Sequence, residues 1–505
     1  MKTSPRNSHQ STSGAGWGCR EPGTFEALGP QAPLSWLRPS VLWRSRNDVI
    51  ARWFGDPVDD LRRRWVGAPG DQLLRTEEGG FSFLLLGDTG EGDRSQFAVV
   101  PPALKAGADT DFMVIASDVI YPTGSINDYP HKFFHAYQGY QGPIYALPGN
   151  HDWYDGLEGF MRVFCDRRGD GSPGGWWKGR MGFLARRLWR RPDPADEGAL
   201  AEARKLRPAP AQQGVQPGPY WMIDSPHLRI VGIDTGISGG IDRDQGEWLR
   251  RVSADPRPKL LLTGKPLYRN DRYQPCPIEG GGTVDEIVRS SGYVAVIGGD
   301  IHNYQRYSVE VEAGRRIEYL VAGGSGAYMH ATHTIGRTTV VPEEDFTCYP
   351  LRGDSLVFYS RLYGRRLRRL GLKRFFDLSY PEAAAAIADR LGLEPTREEG
   401  RRARATRRAR FIAFLMGVPK GGRGAPRRFR LPVGEAYRKI FSEAFDGDDP
   451  PFFKSFLRVD VTADELRIRC LGVSGCREHE LSPPVEQDLR IGLRDVGGVT
   501  SPTVA

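Results

Sequence analysis

"PIYALPGNHDWYDG", residues 143–156, decides the fold. The apolar run "PIYALP" (143–148) stops at Gly149, and three ligand-capable side chains follow in a row: Asn150, His151 and Asp152. A short apolar run bounded by turn residues reads as a buried strand. Beyond it, Leu157, Phe160, Met161 and Phe164 recur at the spacing of one helix face. Strand, polar turn and helix in succession argue for layered α/β architecture, where ligands bind beyond the carboxyl ends of the strands.

The same unit recurs on both sides. "FSFLLLG" (81–87), "DFMVIAS" (111–117), "LRIVGID" (228–234), "KLLLTG" (259–264) and "YVAVIGG" (293–299) also read as buried strands, and "QGEWLRRV" (245–252) as a helix. Polar side chains follow these strands. Asp88 comes after the first; Asp118 and Tyr121 follow the second; Asp300 and His302 follow "YVAVIGG". Asp or Asn after a strand is a common turn former. Four strand ends that together deliver carboxylates, a phenol, an amide and imidazoles are harder to explain as turns. The mixed oxygen and nitrogen set suits a hard or borderline divalent or trivalent ion rather than a thiolate metal.

Composition fits a chain rich in loops: 505 residues, 39% hydrophobic, with 62 Gly and 38 Pro. No apolar run approaches the roughly 18–20 residues of a membrane span. "MKTSPRNSHQSTSGAGWG" lacks an apolar signal region, and six scattered Cys without a CxxC pair read as reduced thiols, so a cytoplasmic location is expected. The net charge of +8 is local in origin. Residues 361–430 hold 20 Lys/Arg and 6 Asp/Glu, a sum of +14, which leaves −6 for the rest. A charge run is usually a solvated helix face; a polyanion or anionic membrane surface is the sharper alternative.

The expected organisation is a disordered N-terminus (1–30), a helical lead-in (31–80), and a core (81–340) carrying an insertion at 166–216. A basic helical insertion (341–450), a closing hairpin (451–480, with its turn at "TADE") and a flexible tail (481–505) complete it. The 166–216 insertion is expected to flank the mouth of the site, as lids are drawn from loops. Its Trp176, Trp177, Phe183 and Trp189, set among six Lys/Arg between 176 and 191, offer an anionic membrane contact instead.

The series "GD…SD…GNHD…GDIH" resembles the calcineurin-like metallophosphoesterases, whose blocks are D-x-H, GDxx, GNH[DE], a lone His and GHxH. "GDTG" (87–90) lacks the His of the first block. "SDVIY" (117–121) and "GGDIHNYQRY" (298–307) are similar to the purple acid phosphatase branch, where a Tyr serves as ligand, and "VAGGSGA" (321–327) fits that branch's later Gly-rich turn. The resemblance implies a four-layer αββα sandwich of the metallo-dependent phosphatase type, here with helical insertions. It implies a hydrolase of phosphate mono- or diesters holding one or two ions of Fe, Mn, Zn or Mg, with metal-activated hydroxide attacking phosphorus.

Residue by residue, the resemblance makes Asp88, Asp118, Tyr121 and His302 the first metal's ligands, with Asp118 bridging. Asn150 and Asp300 fall to the second metal. His151 becomes the group that binds phosphate or protonates the leaving oxygen, with Asp152 orienting its ring; Lys265, Asn150 and Arg306 fall to substrate. The second set departs from the family. Lys265 stands where the lone His belongs and Asp300 replaces the first His of GHxH. An ammonium group has no lone pair for a metal. Three readings stay open: Lys265 replaces part of a second cation's charge, both metals bind with Lys265 turned onto phosphate, or the site binds without catalysing. The last makes the chain a phosphate- or metal-binding protein docked to a polyanion or membrane. His330 and His333 in "YMHATH" (328–333) offer a replacement imidazole, although loop histidines are more often solvated.

Overall fold

Neighbouring residues on one strand face opposite sides of its sheet, and in this chain both sides are apolar. In the computed structural model, residues 19, 21–28, 34, 36, 38–67, 70–169, 182–312, 314–395, 403–421, 431 and 450–494 are described. Their strands are β1 (Leu73–Thr76), β2 (Phe81–Leu86), β3 (Phe112–Ala116), β4 (Ile144–Leu147), β5 (Trp221–Asp224), β6 (Arg229–Ile233), β7 (Lys259–Thr263), β8 (Tyr268–Arg269), β9 (Arg272–Tyr273), β10 (Tyr293–Gly298), β11 (Tyr304–Glu312), β12 (Arg315–Ala322), β13 (Phe346–Tyr349), β14 (Lys454–Val461), β15 (Glu465–Val473) and β16 (Val485–Gly492). All six expected strands are present, as β2, β3, β4, β6, β7 and β10.

The strands form a sheet of order β1-β5-β6-β7-β10-β12-β11-β13, a second of order β16-β15-β14-β2-β3-β4, and a small β8-β9 hairpin. Phe83 and Leu85 of β2 and Val114 of β3 pack with Leu260, Leu262 and Ile297 from the other sheet. The alternate residues Leu84, Leu86 and Met113 face outward onto Phe97 and Val100 of the helix Arg94–Ala106. On the far side, Val231, Leu261 and Val296 meet Trp248 and Val288 of the helices Arg243–Ser253 and Val284–Ser290. Helix, sheet, sheet and helix make the four-layer αββα sandwich.

Several boundaries differ from expectation. The hairpin β14–β15 turns at Thr462–Glu465 as expected and adds antiparallel to β2. Residues 485–492, expected in a flexible tail, instead form β16 on the sheet edge. Arg467 clasps Asp488 at 2.8 and 2.7 Å there, on the charged face of a strand whose Leu489 and Ile491 pack toward the core. Phe346–Tyr349, assigned to the basic insertion, is a strand of the large sheet. The insertion helices Arg352–Arg366, Tyr380–Leu391 and Arg407–Leu415 deliver Leu356, Val357, Ala386 and Ile412 to the inter-sheet core. The disorder expected for 1–30 falls mostly outside the described residues, yet Thr24–Ala27 is a short helix with Phe25 buried against Phe452. The thiols are not all reduced: Cys19 and Cys476 form a disulfide across 457 residues, while Cys165, Cys276, Cys348 and Cys470 are buried thiols.

His333 is not solvated. Its Nε2–H donates to the Met416 carbonyl at 3.1 Å, which leaves Nδ1 to accept from the Ser355 hydroxyl at 2.8 Å. Burial pushes the imidazole down to about 4. A depressed value means that the unfolded chain binds the extra proton between the reference of about 6.5 and about 4. This contribution is therefore complete above pH 6.5 and is lost as pH falls, on the order of 3 kcal/mol by pH 4. Urea unfolding of His333→Gln between pH 4 and 7 is expected to show a correspondingly flatter pH dependence than the parent; equal slopes would refute the assignment.

Candidate metal centre

The functional side chains leave the carboxyl ends of both sheets. Asp88, Asp118 and Asn150 follow β2, β3 and β4 of one sheet, whereas Lys265, Asp300 and His302 follow β7 and β10 of the other. Three of the aspartates occupy the left-handed backbone region, with φ of 58° at Asp88, 41° at Asp118 and 65° at Asp300. Side chains in that region cost on the order of 1–3 kcal/mol each, and such residues cluster where geometry serves function. Two glycines admit these carboxylates. A Cβ on Gly149 would strike the Asp118 carboxylate, and one on Gly299 would crowd Asp88 and Ser117. Gly149→Ala is expected to displace Asp118, so bound metal measured by elemental analysis falls at least several-fold with the fold retained by circular dichroism.

The Tyr121 phenol lies at the focus of the first donor set. Its oxygen is 3.0 Å from Asp118 Oδ2, 3.2 Å from Asp88 Oδ1 and 3.1 Å from His302 Nε2. Asp88 Oδ1 and His302 Nε2 stand 4.0 Å apart. Donors about 2.1 Å from a common ion lie about 3 Å apart when adjacent and about 4.2 Å apart when opposed. The spacing fits one ion held by these four residues. Among the described residues, no three His, Cys, Asp or Glu side chains alone form a metal-binding group; the set depends on the phenol. His302 is aimed by its second nitrogen, Nδ1, which donates to the Tyr328 carbonyl at 2.7 Å.

The electrostatics call for a cation. Burial, then repulsion from Asp118 and Asp300, pushes the Asp88 carboxyl well above the usual range. Burial likewise raises Asp118. The Tyr121 phenol is pushed far up by burial and then by Asp118 and Asp88. Asp300 goes the other way. Burial alone would raise it, but Lys265 and Arg269 outweigh burial and hold it below the ordinary range. Arg269 Nη1 donates to Asp300 Oδ2 at 2.6 Å, and Lys265 Nζ is 3.8 Å from Oδ1. Asn150 donates its amide to Tyr154 Oη at 2.7 Å. These residues do not fit a second metal, because two fixed cations already hold its principal carboxylate.

Residues 81–304 match the family model of the calcineurin-like phosphoesterases. Over these residues the chain is similar to the calcineurin-like phosphoesterases. No curated protein matches the chain. Among solved structures, it is similar to the purple acid phosphatase PPD1 from yellow lupin (Lupinus luteus), at 10% identity and a TM-score of 0.38, covering 85% of this chain and 58% of that one. It is similar also to PhoD, at 10% identity and a TM-score of 0.33, covering 82% and 68% respectively. The chain thus spans under two thirds of the length of the lupin protein, and neither likeness bears on the site.

A cavity of about 480 Å³ opens over the donor set. Asp118, Tyr121, Asn150, His151, Lys265, Asp300 and His302 line it, together with Arg269. Asp88 lies behind them, fully buried, with its carboxylate accepting from the Asp300 N–H. Arg306 is not brought there: Glu318 holds its guanidinium in two hydrogen bonds of 2.7 and 3.0 Å on the adjacent strand. Arg269 was missed because it lies on the β8–β9 hairpin, outside every block of the resemblance; "LYRND" (267–271), which places an Arg four residues past Lys265, was the available signal.

Asp152 does not take the role expected of it. Its carboxylate accepts from the Val119, Ile120 and Gly149 N–H groups at 3.0, 3.2 and 3.0 Å, fixing the loops after β3 and β4 to each other. The His151 ring is aimed instead by Pro122, whose carbonyl lies 2.8 Å from Nδ1, and by the flanking rings of Trp36, Tyr121 and Tyr154. His330 stacks on His302 with ring centroids 4.1 Å apart and is buried at the cavity wall rather than solvated. The cavity wall also departs from expectation. No described residue of 166–216 lines it; Trp36, Asp48, Ala51 and Arg52 of the lead-in do. Within that insertion Phe183 is exposed and Trp189 buried, and Trp176 and Trp177 lie outside the described residues. The helix Gly182–Leu188 packs behind the lead-in, where Arg46 Nε donates to the Leu188 carbonyl at 2.6 Å.

Proposed function

We propose that the chain is a metal-dependent hydrolase of phosphate esters that works with one ion held by Asp88, Asp118, Tyr121 and His302. The observation that carries this reading is the convergence of three donors on the Tyr121 oxygen at 3.0–3.2 Å. When bound, such an ion supplies a nucleophile by lowering the pKa of water and draws charge from a phosphoryl oxygen. Lys265 and Arg269, pinned by Asp300, supply fixed positive charge where negative charge develops on the phosphoryl group. With Nδ1–H given to the Pro122 carbonyl, His151 uses Nε2 to pass a proton to the leaving oxygen. Asn150, tied to Tyr154, presents its amide oxygen to substrate.

A trivalent ion, iron above all, suits this centre. Making Tyr121 a ligand removes a proton that burial and two carboxylates retain, and a high charge offsets both. The loaded protein is expected to absorb visible light through tyrosinate-to-iron charge transfer, and Tyr121→Phe to abolish the band. A colourless iron-loaded parent would exclude Tyr121 as a ligand.

The competing reading, binding of phosphate without turnover, draws on the capture of Asp300 by Lys265 and Arg269. Metal content measured alongside hydrolysis of 4-nitrophenyl phosphate and its bis-ester separates the two. Turnover that rises with bound metal supports the hydrolase; stoichiometric metal without turnover of either ester supports the binding protein.

A further inference from the structure

The basic excess of residues 361–430 is unevenly neutralised. Arg408 pairs with Glu382 at 3.0 Å, Arg410 with Asp389 at 3.0 Å and Arg361 with Asp377 at 3.4 Å. Arg390 caps the Val418 carbonyl. The helix Arg352–Arg366 then ends in a tip made of the short helix Arg368–Leu370, Gly371 at φ 73°, and the turn Lys373–Phe376. On this tip Arg366, Arg368, Arg369, Lys373 and Arg374 are all exposed, and no carboxylate among the described residues pairs with any of them. Between these cations stand two leucines that the core does not take: Leu370 is 72% exposed and Leu372 is 38% exposed.

Helix C-termini favour cations, so one or two arginines there need no partner. The dipole does not explain five of them, nor two leucines held in water at the crest of the same turn. We propose that the tip 366–374 docks the protein peripherally on an anionic lipid surface, with Leu370 and Leu372 entering the acyl boundary and the five cations lying among the headgroups. Each cation near such a surface contributes modestly and the contributions add, while apolar side chains convert attraction into retention. The alternative polyanion, nucleic acid, explains the charge but not the leucines. Bases stack on exposed aromatic rings, and the tip's own aromatics, Phe375 and Phe376, pack on each other and on Phe411 and Tyr363. No described helix is long and apolar enough to cross a membrane, which agrees with peripheral docking.

Co-sedimentation of the full chain tests this, using vesicles of phosphatidylcholine alone or with 30% phosphatidylserine, and a 30-nucleotide DNA as the second ligand. Binding is expected to the anionic vesicles and not to the neutral ones. It should fall at least tenfold in Arg368→Glu/Arg369→Glu and again in Leu370→Ser/Leu372→Ser, with thermal midpoints close to the parent's because all four side chains lie outside the core. The proposal is overturned if the parent ignores anionic vesicles, or if the leucine variant binds them as the parent does. It is overturned equally if DNA binds more tightly than vesicles and the leucine variant retains that binding.

Discussion

Asp118→Ala is expected to strip the centre of metal and to lower phosphate-ester hydrolysis by at least a thousandfold. The change removes an anionic donor whose Oδ2 lies 3.0 Å from the Tyr121 phenol and whose Oδ1 accepts from the His151 N–H at 2.8 Å. One carboxylate thus touches both the proposed donor set and the backbone of the proposed proton donor. A thousandfold is about 4 kcal/mol, the scale on which a lost stabilising group in a dry site is felt. Asn150→Ala is the informative comparison. It removes a neutral amide that is bonded to Tyr154 and is absent from the convergent set, so about tenfold or less in rate and near-parental metal are expected. Elemental analysis of both variants, with kcat on an aryl phosphate, decides the matter. Equal metal loss in the two would move Asn150 into the first donor set and refute the assignment of the ion to Asp88, Asp118, Tyr121 and His302 alone.

Much of this was legible in the chain. Strands buried on both faces are continuous apolar runs, and "FSFLLLG" or "YVAVIGG" has no other comfortable reading. The candidate donors stood out because each sits within a few residues past such a run, where the backbone must turn and side chains point off the sheet's end. What failed to show depends on contacts between distant segments. β16 is an edge strand in which Val485, Leu489 and Ile491 alternate with charged Glu486, Asp488 and Arg490, a period of two that the expectation of a flexible tail passed over. Cys19 and Cys476 are joined over 457 residues, a pairing that no spacing rule reaches. Asp152 follows His151 in sequence, which suggests that it aims the ring; the four-residue helical turn Asp152–Asp155 sends its carboxylate instead to the N–H groups of Val119, Ile120 and Gly149. Arg306 reads as a substrate cation until Glu318, its cross-strand neighbour region on β12, is seen to hold it.

The second consequential outcome concerns the two cations paired with Asp300, which are proposed to stand in place of a second metal. Asp300 is shared: Arg269 takes Oδ2 at 2.6 Å while Lys265 approaches Oδ1 at 3.8 Å. Lys265→Ala is expected to lower kcat/KM by roughly ten- to a hundredfold, the loss of one fixed charge, or about 1.4–2.7 kcal/mol. Arg269→Ala should cost at least as much, since it removes the closer of the two ion pairs and leaves a buried carboxylate poorly compensated. Restoring an imidazole with Lys265→His does not by itself rebuild a second metal site, because Arg269 still holds Asp300. Lys265→His/Arg269→Gln releases that carboxylate and supplies a ligand together, and this double variant is expected to bind a second ion measurable by elemental analysis. If Lys265→His alone acquires the ion, Arg269 is not what excludes it. If Lys265→Ala matches the parent in rate, the ammonium group takes no part in the reaction, and the charge opposite the phosphoryl group comes from Arg269 alone.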